Sequence, residues 1–171
     1  LAVLERAVGF GLNLHVIKKA NRSPKIQQKL TQMNVLSVPS LDSLIDKCDV
    51  LSLHVPSVPE TRGMVNTEFL KKLHSGTILI NTSRGDLIDE NALTQALENK
   101  NLSVGLDVYC DEPGSSCGEF RSVLANHPSV YGTHHIGAST TQAQTAVTEG
   151  VLEIIAAFSQ GNILNCVNMI D

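Results

Sequence analysis

The side chains best suited to chemistry in this sequence are one arginine, two carboxylates and two adjacent histidines. Arg84 stands in a polar loop, Asp107 and Glu112 come later, and His134 and His135 follow. An arginine grips a carboxylate with two hydrogen bonds and stabilises charge on a carbonyl oxygen. A histidine exchanges a proton near neutral pH, and a carboxylate bonded to it holds its tautomer and raises its pKa. The set therefore suits proton transfer beside a substrate carboxylate or carbonyl group.

Each of these residues comes at or after the end of a short apolar segment. The run 77–82 is β-branched and apolar without alternation, which is typical of a strand covered on both faces of a parallel sheet. Similar segments cover 102–108 and 130–133. Parallel strands end at one edge of a sheet, and open α/β sheets bind ligands there. We therefore expect the arginine, the carboxylates and the imidazole to converge at that edge.

Strands and helices alternate along the rest of the chain. Strands are predicted at 12–17, 35–38, 49–56, 77–82, 102–108 and 130–133. Helices are predicted at 2–9, from Ser23-Pro24 onwards, after a cap at Ser40, at 67–73 with Thr67 as cap, at 89–99 with Asp89 as cap, at 119–126, and from a cap at Thr140 or Thr141 to about 159. This order predicts an α/β fold, a doubly wound parallel sheet with right-handed crossovers. We assign residues 1–160 to one domain and 161–171 to a tail leading out of it.

Composition limits the functional classes. The 171 residues carry 13 Lys and Arg against 17 Asp and Glu, for a net charge of −4, and no basic run exceeds two residues. This distribution argues against a nucleic-acid-binding face, which needs clustered cations. No apolar run approaches the roughly 20 residues of a membrane span, and the first residues do not form a signal peptide. The four cysteines contain no C-x-x-C pair, so we expect reduced thiols in a cytoplasmic protein.

Two patterns that could suggest other ligand sites do not qualify. Gly9-Phe10-Gly11 precedes a strand instead of following one and lacks a third glycine, so it is not a dinucleotide-binding turn. His127, His134 and His135 with Asp111 do not have the spacing of a known metal site, and we expect no metal.

Five ordered segments carry a resemblance to a known family. They are Ser52-Leu53-His54-Val55-Pro56, Asn81-Thr82-Ser83-Arg84-Gly85, Gly105-Leu106-Asp107-Val108-Tyr109, Asp111-Glu112-Pro113 and His135-Ile136-Gly137-Ala138-Ser139-Thr140. In order and spacing they resemble the D-isomer-specific 2-hydroxyacid dehydrogenases. The resemblance covers nearly the whole chain. It implies an oxidoreductase that transfers a hydride between NAD and a D-2-hydroxy acid, working as a homodimer or homotetramer.

The resemblance also implies a role for each matching position. Arg84 becomes the carboxylate anchor and carbonyl polariser, His135 the general acid of ketoacid reduction, and Glu112 the partner of that histidine. Asp107 accepts a hydrogen bond from the nicotinamide amide. The hydride moves from the cofactor, while the protein supplies position and charge. The other cofactor contacts fall on Val55, Thr82, Ser83, Gly137 and Ala138, with Arg84 and His135 also lying along the cofactor.

The sequence departs from the family pattern in several places. The first strand with its G-x-G-x-x-G turn, which cradles pyrophosphate, and the separate substrate domain are not found in residues 1–171, so we expect a longer chain and poor turnover by these residues alone. Lys18 stands where the family carries the acid that holds the ribose hydroxyls. A cation there suits a 2′-phosphate, so NADP stays open beside NAD. His134 replaces a proline, although the Ile-Gly that follows favours His135 as the catalytic histidine.

Two functional classes remain. One is the oxidoreductase; the other is a non-catalytic cofactor-sensing or corepressor-like module on the same fold. Taken alone, Arg84 would pair with Asp86 or Asp89 at the surface, and His54 would be a core or cofactor-edge histidine. The intact set of arginine, carboxylate and histidine favours the enzyme.

Overall fold

The computed structural model describes residues 1–113, 118 and 120–167, and the chain divides into two compact units. The first unit is Leu1–Gly132 and the second is Thr133–Asp171. The helices are α1 (Ala2–Ala7), α2 (Pro24–Gln32), α3 (Leu41–Ile45), α4 (Thr67–Lys72), α5 (Glu90–Asn99) and α6 (Thr141–Ser159); the strands are β1 (His15–Ile17), β2 (Leu36–Val38), β3 (Val50–Leu53), β4 (Ile78–Asn81), β5 (Ser103–Leu106) and β6 (Val130–Gly132). Short 3-10 turns cover Val8–Phe10, Gly85–Leu87 and Leu124–Asn126.

All strand pairs in the described ranges are parallel, and these strands divide between two sheets. β1 pairs with β2, while β3, β4, β5 and β6 pair in that order. Leu53, Asn81 and Leu106 lie side by side in register, so three chain segments leave the large sheet at one edge. The parallel α/β fold is confirmed. The division into two sheets was not expected, because pairing between distant segments leaves no local signal.

The large sheet packs its alternate positions into the core. β3, β4 and β5 each bury their second and fourth residues, as the two-residue period of a strand requires. Phe69 and Leu70 of α4 and Leu93 and Leu97 of α5 belong to the same apolar cluster. The run 77–82 was expected to be covered on both faces, but Ile78 is 40% exposed. The residues buried at these positions are Leu51, Leu53, Leu79, Asn81, Val104 and Leu106.

Several predicted helix ends are confirmed. The Asp89 side chain accepts the N–H of Ala92 at 3.0 Å and caps α5, and Thr140 accepts the N–H of Ala143 at 3.1 Å and caps α6. Ser40 likewise caps α3. These residue types replace hydrogen bonds that the first turn of a helix lacks.

Two helix predictions need correction. The cap of α4 is Asn66, whose side chain accepts the N–H of Phe69 at 3.0 Å, and not Thr67. Both residue types cap helices, so the pattern misplaced the start by one position. The helix predicted at 119–126 is only the 3-10 turn Leu124–Asn126 in its described part, and residue 119 lies outside the described residues.

In the part of the chain that the structure describes, no helix is both long and apolar enough to cross a membrane. Among the same residues, Cys48, Cys110 and Cys166 form no disulfide. Cys117, residues 114–117 of the loop predicted at 109–118, and residues 168–171 of the predicted tail lie outside the described residues.

Candidate active site

Asn81, the last residue of β4, organises the loop that carries Arg84. Its buried side chain donates from Nδ2 to the Arg84 carbonyl at 2.8 Å and accepts the Ser83 N–H on Oδ1 at 3.0 Å. The Ser83 hydroxyl donates to the carbonyl of Leu53 at the end of β3, at 2.7 Å. Leaving such buried groups without partners would cost stability. The loop is therefore held to the ends of two neighbouring strands.

The guanidinium of Arg84 is exposed at this edge of the sheet. Its Nη1 donates to the Ser83 carbonyl at 2.6 Å, and it forms no ion pair with any residue that the structure describes. A cleft of about 550 Å³, within the usual size range of small-molecule sites, lies against it. An arginine without a carboxylate partner is suited to bind an anion through two hydrogen bonds. The cleft is lined by His54, Val55, Pro56, Ser57, Ser83 and Arg84.

His54 lies in this cleft as a neutral side chain. Its Nε2 is 2.9 Å from the hydroxyl of Ser52, which fixes the ring. Partial burial lowers the pKa of His54 below its usual value, since burial disfavours the charged imidazolium. Val55, one of the expected cofactor contacts, is half-buried beside it and packs against the core. Thr82, another expected contact, is exposed. The wall of the cleft formed by His54 and Val55 is therefore uncharged.

The loop after β5 carries the two expected carboxylates. Asp107 is only 7% exposed. Glu112 folds back on the loop, and its Oε1 accepts the N–H of Tyr109 at 2.6 Å. The Tyr109 ring is buried and packs on Phe120, with ring centroids 5.1 Å apart. Glu112 is thus held by its own loop instead of extending into solvent.

The arginine loop and the Glu112 loop touch through their backbones at Gly85. A Cβ atom added to Gly85 would lie 2.1 Å from the carbonyl carbon and oxygen of Tyr109, far inside van der Waals contact. The N–H of Cys110 also donates to Glu90 of α5 at 2.8 Å. The segments that carry Arg84 and Glu112 are therefore in contact, and only glycine permits that approach.

The Cys110 thiol in this loop is chemically quiet. Burial, together with the charges of Glu90 and Asp111, raises its pKa to about 11. The reactive form of cysteine is the thiolate, which is therefore scarce at neutral pH.

His135, Gly137 and Ala138 belong to the second unit and are exposed there. His135 has a φ of +57°, in the left-handed region that costs a side chain about 1 kcal/mol or more. Ser139 donates its N–H to the Ile136 carbonyl at 2.9 Å, and this turn leads into the Thr140 cap of α6. Strained backbone of this kind clusters at functional sites. Histidine is one of the non-glycine residue types enriched at positive φ, but residue type alone did not mark this position, because most histidines adopt negative φ.

Lys18 follows β1 and is exposed, and its N–H donates to the Val38 carbonyl at 2.7 Å. Arg22 is a further cation after Lys18 and Lys19, and its Nη2 donates to the Ile17 carbonyl at 2.9 Å. The sequence reasoning missed Arg22, although an arginine four residues after Lys18 was a visible signal. As for metals, no group of three or more His, Cys, Asp or Glu side chains suited to bind one occurs within the described residues.

Comparison with known proteins identifies the family. The family model for the D-isomer specific 2-hydroxyacid dehydrogenase, NAD binding domain, matches residues 1–137. The chain is 40% identical over 145 residues to D-3-phosphoglycerate dehydrogenase of Haemophilus influenzae, covering 84% of this chain and 35% of that protein.

Solved structures agree with this result. The chain superposes on a putative D-isomer specific 2-hydroxyacid dehydrogenase from Polaromonas with a TM-score of 0.83 and 30% identity, covering 99% of this chain and 50% of the other. For D-lactate dehydrogenase of Aquifex aeolicus, solved with NAD and lactic acid, the TM-score is 0.77 at 28% identity, covering 94% and 50%. The chain thus spans a third to a half of the length of these proteins. It belongs to the family of NAD-binding domains of the D-isomer-specific 2-hydroxyacid dehydrogenases.

Proposed function

We propose that this chain is the nucleotide-binding domain, residues 1–160, of a cytoplasmic dehydrogenase acting on D-3-phosphoglycerate in the first step of serine biosynthesis. The observation that carries the proposal is the Arg84 guanidinium, exposed in a cleft at the strand ends and without a carboxylate partner among the described residues. A D-2-hydroxy acid and its keto acid both present a carboxylate to such a group. The identity to a D-3-phosphoglycerate dehydrogenase supports the choice of substrate.

The site residues divide the work as follows. Arg84 holds the substrate carboxylate and draws charge onto the carbonyl oxygen. His135 gives or takes the proton at that oxygen, and Glu112 is its partner; these two roles rest on the family resemblance. Asp107 accepts a hydrogen bond from the nicotinamide amide. The remaining cofactor contacts come from Ser83, Thr82, Val55, Gly137 and Ala138.

The described residues fit NAD at this edge of the sheet. The cleft has an uncharged wall at His54 and Val55, which does not repel the cationic nicotinamide ring of NAD+, and its cation at Arg84 suits the substrate carboxylate. When bound, NAD supplies the hydride acceptor. The protein residues position the substrate and exchange its proton. The glycine turn for the pyrophosphate, the substrate domain and the contacts of a homodimer or homotetramer are expected in the longer protein.

The choice between NAD and NADP concerns the other end of the cofactor. The family's domain binds NAD. Lys18 and Arg22 lie after β1, where a cation suits a 2′-phosphate and an acid suits free ribose hydroxyls. We retain NADP as the alternative cofactor on this ground. No observation on the described residues favours the non-catalytic sensing module.

The test is Arg84→Gln in the full-length protein, with NAD reduction followed at 340 nm in the presence of D-3-phosphoglycerate. Removal of a preorganised charge-stabilising donor should lower kcat/KM by about 10²–10³-fold. The melting temperature should stay unchanged, because within the described part of the chain the exposed guanidinium bonds only the neighbouring Ser83 carbonyl.

Arg6→Gln is the matched control. Arg6 is an exposed arginine of α1 that bonds the Ala2 carbonyl at 2.8 Å, so the same substitution there should not alter turnover. Wild-type turnover by the Arg84 variant would refute the dehydrogenase assignment. It would instead favour a module that only senses the cofactor.

A further inference from the structure

Asp86 lies two residues after Arg84 and bonds elsewhere. The Ser57 hydroxyl donates to its Oδ2 at 2.5 Å, and the Arg62 Nε lies 3.3 Å from the same oxygen. Arg62 Nε also lies 3.3 Å from the Ser57 hydroxyl, and the Gly63 N–H donates to the Asp86 carbonyl at 2.8 Å. The carboxylate is therefore held by the loop that follows β3.

Without these contacts, Arg84 would be the nearest alternative partner along the chain. Two residues in sequence have Cα atoms at most about 7.6 Å apart, and an arginine side chain is long enough to bridge that distance. The Oδ1 atom of Asp86 is buried and has no hydrogen-bond donor in the described structure, so the carboxylate keeps unused acceptor capacity. A guanidinium would satisfy it.

Pairing with Asp86 would disable Arg84 as an anion site. It would neutralise the charge and occupy the planar pair of donors that a substrate carboxylate needs. The structure shows Asp86 bonded to Ser57 and Arg62, while Arg84 forms no ion pair among the described residues. The surface pairing of Arg84 with Asp86 that the sequence left open is thus absent.

We infer that Arg62 and Ser57 restrain Asp86 so that Arg84 remains available to the substrate carboxylate. Arg62 is then a positioning residue that acts through Asp86 and does not itself touch substrate. This inference rests on the proposed role of Arg84 as carboxylate anchor. This role differs from a purely structural one, because the loss of carboxylate binding after removal of Arg62 would come from the negative charge of Asp86.

The experiment measures binding of oxamate, an unreactive analogue of a 2-keto acid, to the full-length protein saturated with NADH. Arg62→Gln should raise the oxamate Kd by about fivefold, the size expected when one exposed ion pair replaces another. The Arg62 and Asp86 side chains are 64% and 43% exposed, which keeps the effect modest.

The decisive variant is the double substitution Arg62→Gln with Asp86→Asn. An asparagine still accepts the Ser57 hydroxyl but cannot neutralise Arg84, so the double variant should bind oxamate within about twofold of the wild-type protein. Arg62→Lys, which keeps the cation, should also stay near wild type. The Kd for NADH should not change in any of these variants. A double variant that binds as weakly as Arg62→Gln alone, or more weakly, would overturn the inference.

Lys71→Gln is the matched control for removing a surface cation. Lys71 pairs with Glu68 at 2.7 Å on α4, and its loss should leave the oxamate Kd unchanged. The two proposals fail differently. Wild-type turnover by Arg84→Gln, or no oxamate binding by the wild-type protein, would refute the role of Arg84 as carboxylate anchor. An inactive Arg84→Gln together with an unchanged oxamate Kd in Arg62→Gln would refute only the restraint of Asp86 by Arg62.

Discussion

The two sheets of the first unit differ in how much apolar surface they bury. β3, β4 and β5 each bury two of their four residues against α4 and α5. All three residues of β1 are only half-buried, and β2 buries Val38 alone. Leu30 and Val35 add to the few buried apolar side chains near the small sheet.

A cation lies near the strand ends of each sheet, Arg84 in the large sheet and Lys18 in the small sheet. The two cations differ in how firmly the surrounding structure holds them. The Arg84 loop is held by buried Asn81 and by the backbone contact at Gly85. Lys18 follows a strand without a fully buried side chain. The large sheet therefore preorganises its cation before ligand binds, whereas the small sheet leaves more of the positioning to the ligand.

The largest expected effect is at the loop contact of the large sheet. Gly85→Ala would place its Cβ 2.1 Å from backbone atoms of Tyr109, which cannot move as a flexible side chain could. We expect the free energy of unfolding to fall by about 3 kcal/mol in urea denaturation, with loss of turnover in the full-length protein. Gly150→Ala in α6, where a Cβ meets nothing within 4 Å, should instead stabilise by up to about 1 kcal/mol. Equal effects at the two glycines would show that the loops do not pack as described.

The same substitution in each sheet compares their packing directly. Leu79 of β4 is 0% exposed and Leu36 of β2 is 59% exposed. Leu79→Ala should lower the free energy of unfolding by about 3 kcal/mol, because it leaves a cavity in a packed core. Leu36→Ala should lower it by less than about 1 kcal/mol. Similar losses from both variants would remove the contrast between the sheets.

The smallest effect tests whether the cation of the small sheet binds a ligand. Lys18→Asp in the full-length protein should shift the ratio of the NADPH and NADH dissociation constants by about tenfold towards NADH, about 1.4 kcal/mol. Calorimetric titration with each cofactor measures this ratio. Lys19→Asp, which makes the same charge change one residue later, is the control. An unchanged ratio in Lys18→Asp would leave Lys18 as a solvated lysine without a role in cofactor choice.

Local sequence was sufficient for the elements that hold the site. The β-branched run before Arg84 forms β4, and Asp89 caps α5 as expected, because strand propensity and helix capping act within a few residues. The cap of α4 was predicted at Thr67, one residue after the actual cap Asn66, since both asparagine and threonine are typical cap residues. The helix predicted at 119–126 is a short 3-10 turn at Leu124–Asn126 in its described part.

The sequence by itself determined which residue types stand at the strand ends, and thereby the family, the parallel α/β fold and the expected anion-binding arginine. Only the tertiary structure decided their partners. Asp86 bonds Ser57 and Arg62 instead of Arg84, and Gly85 touches Tyr109. The physical reason is the separation along the chain over which each interaction acts. Helix capping and strand propensity depend on neighbouring residues. These contacts instead join segments more than 20 residues apart, and the approach of those segments depends on the packing of the whole sheet.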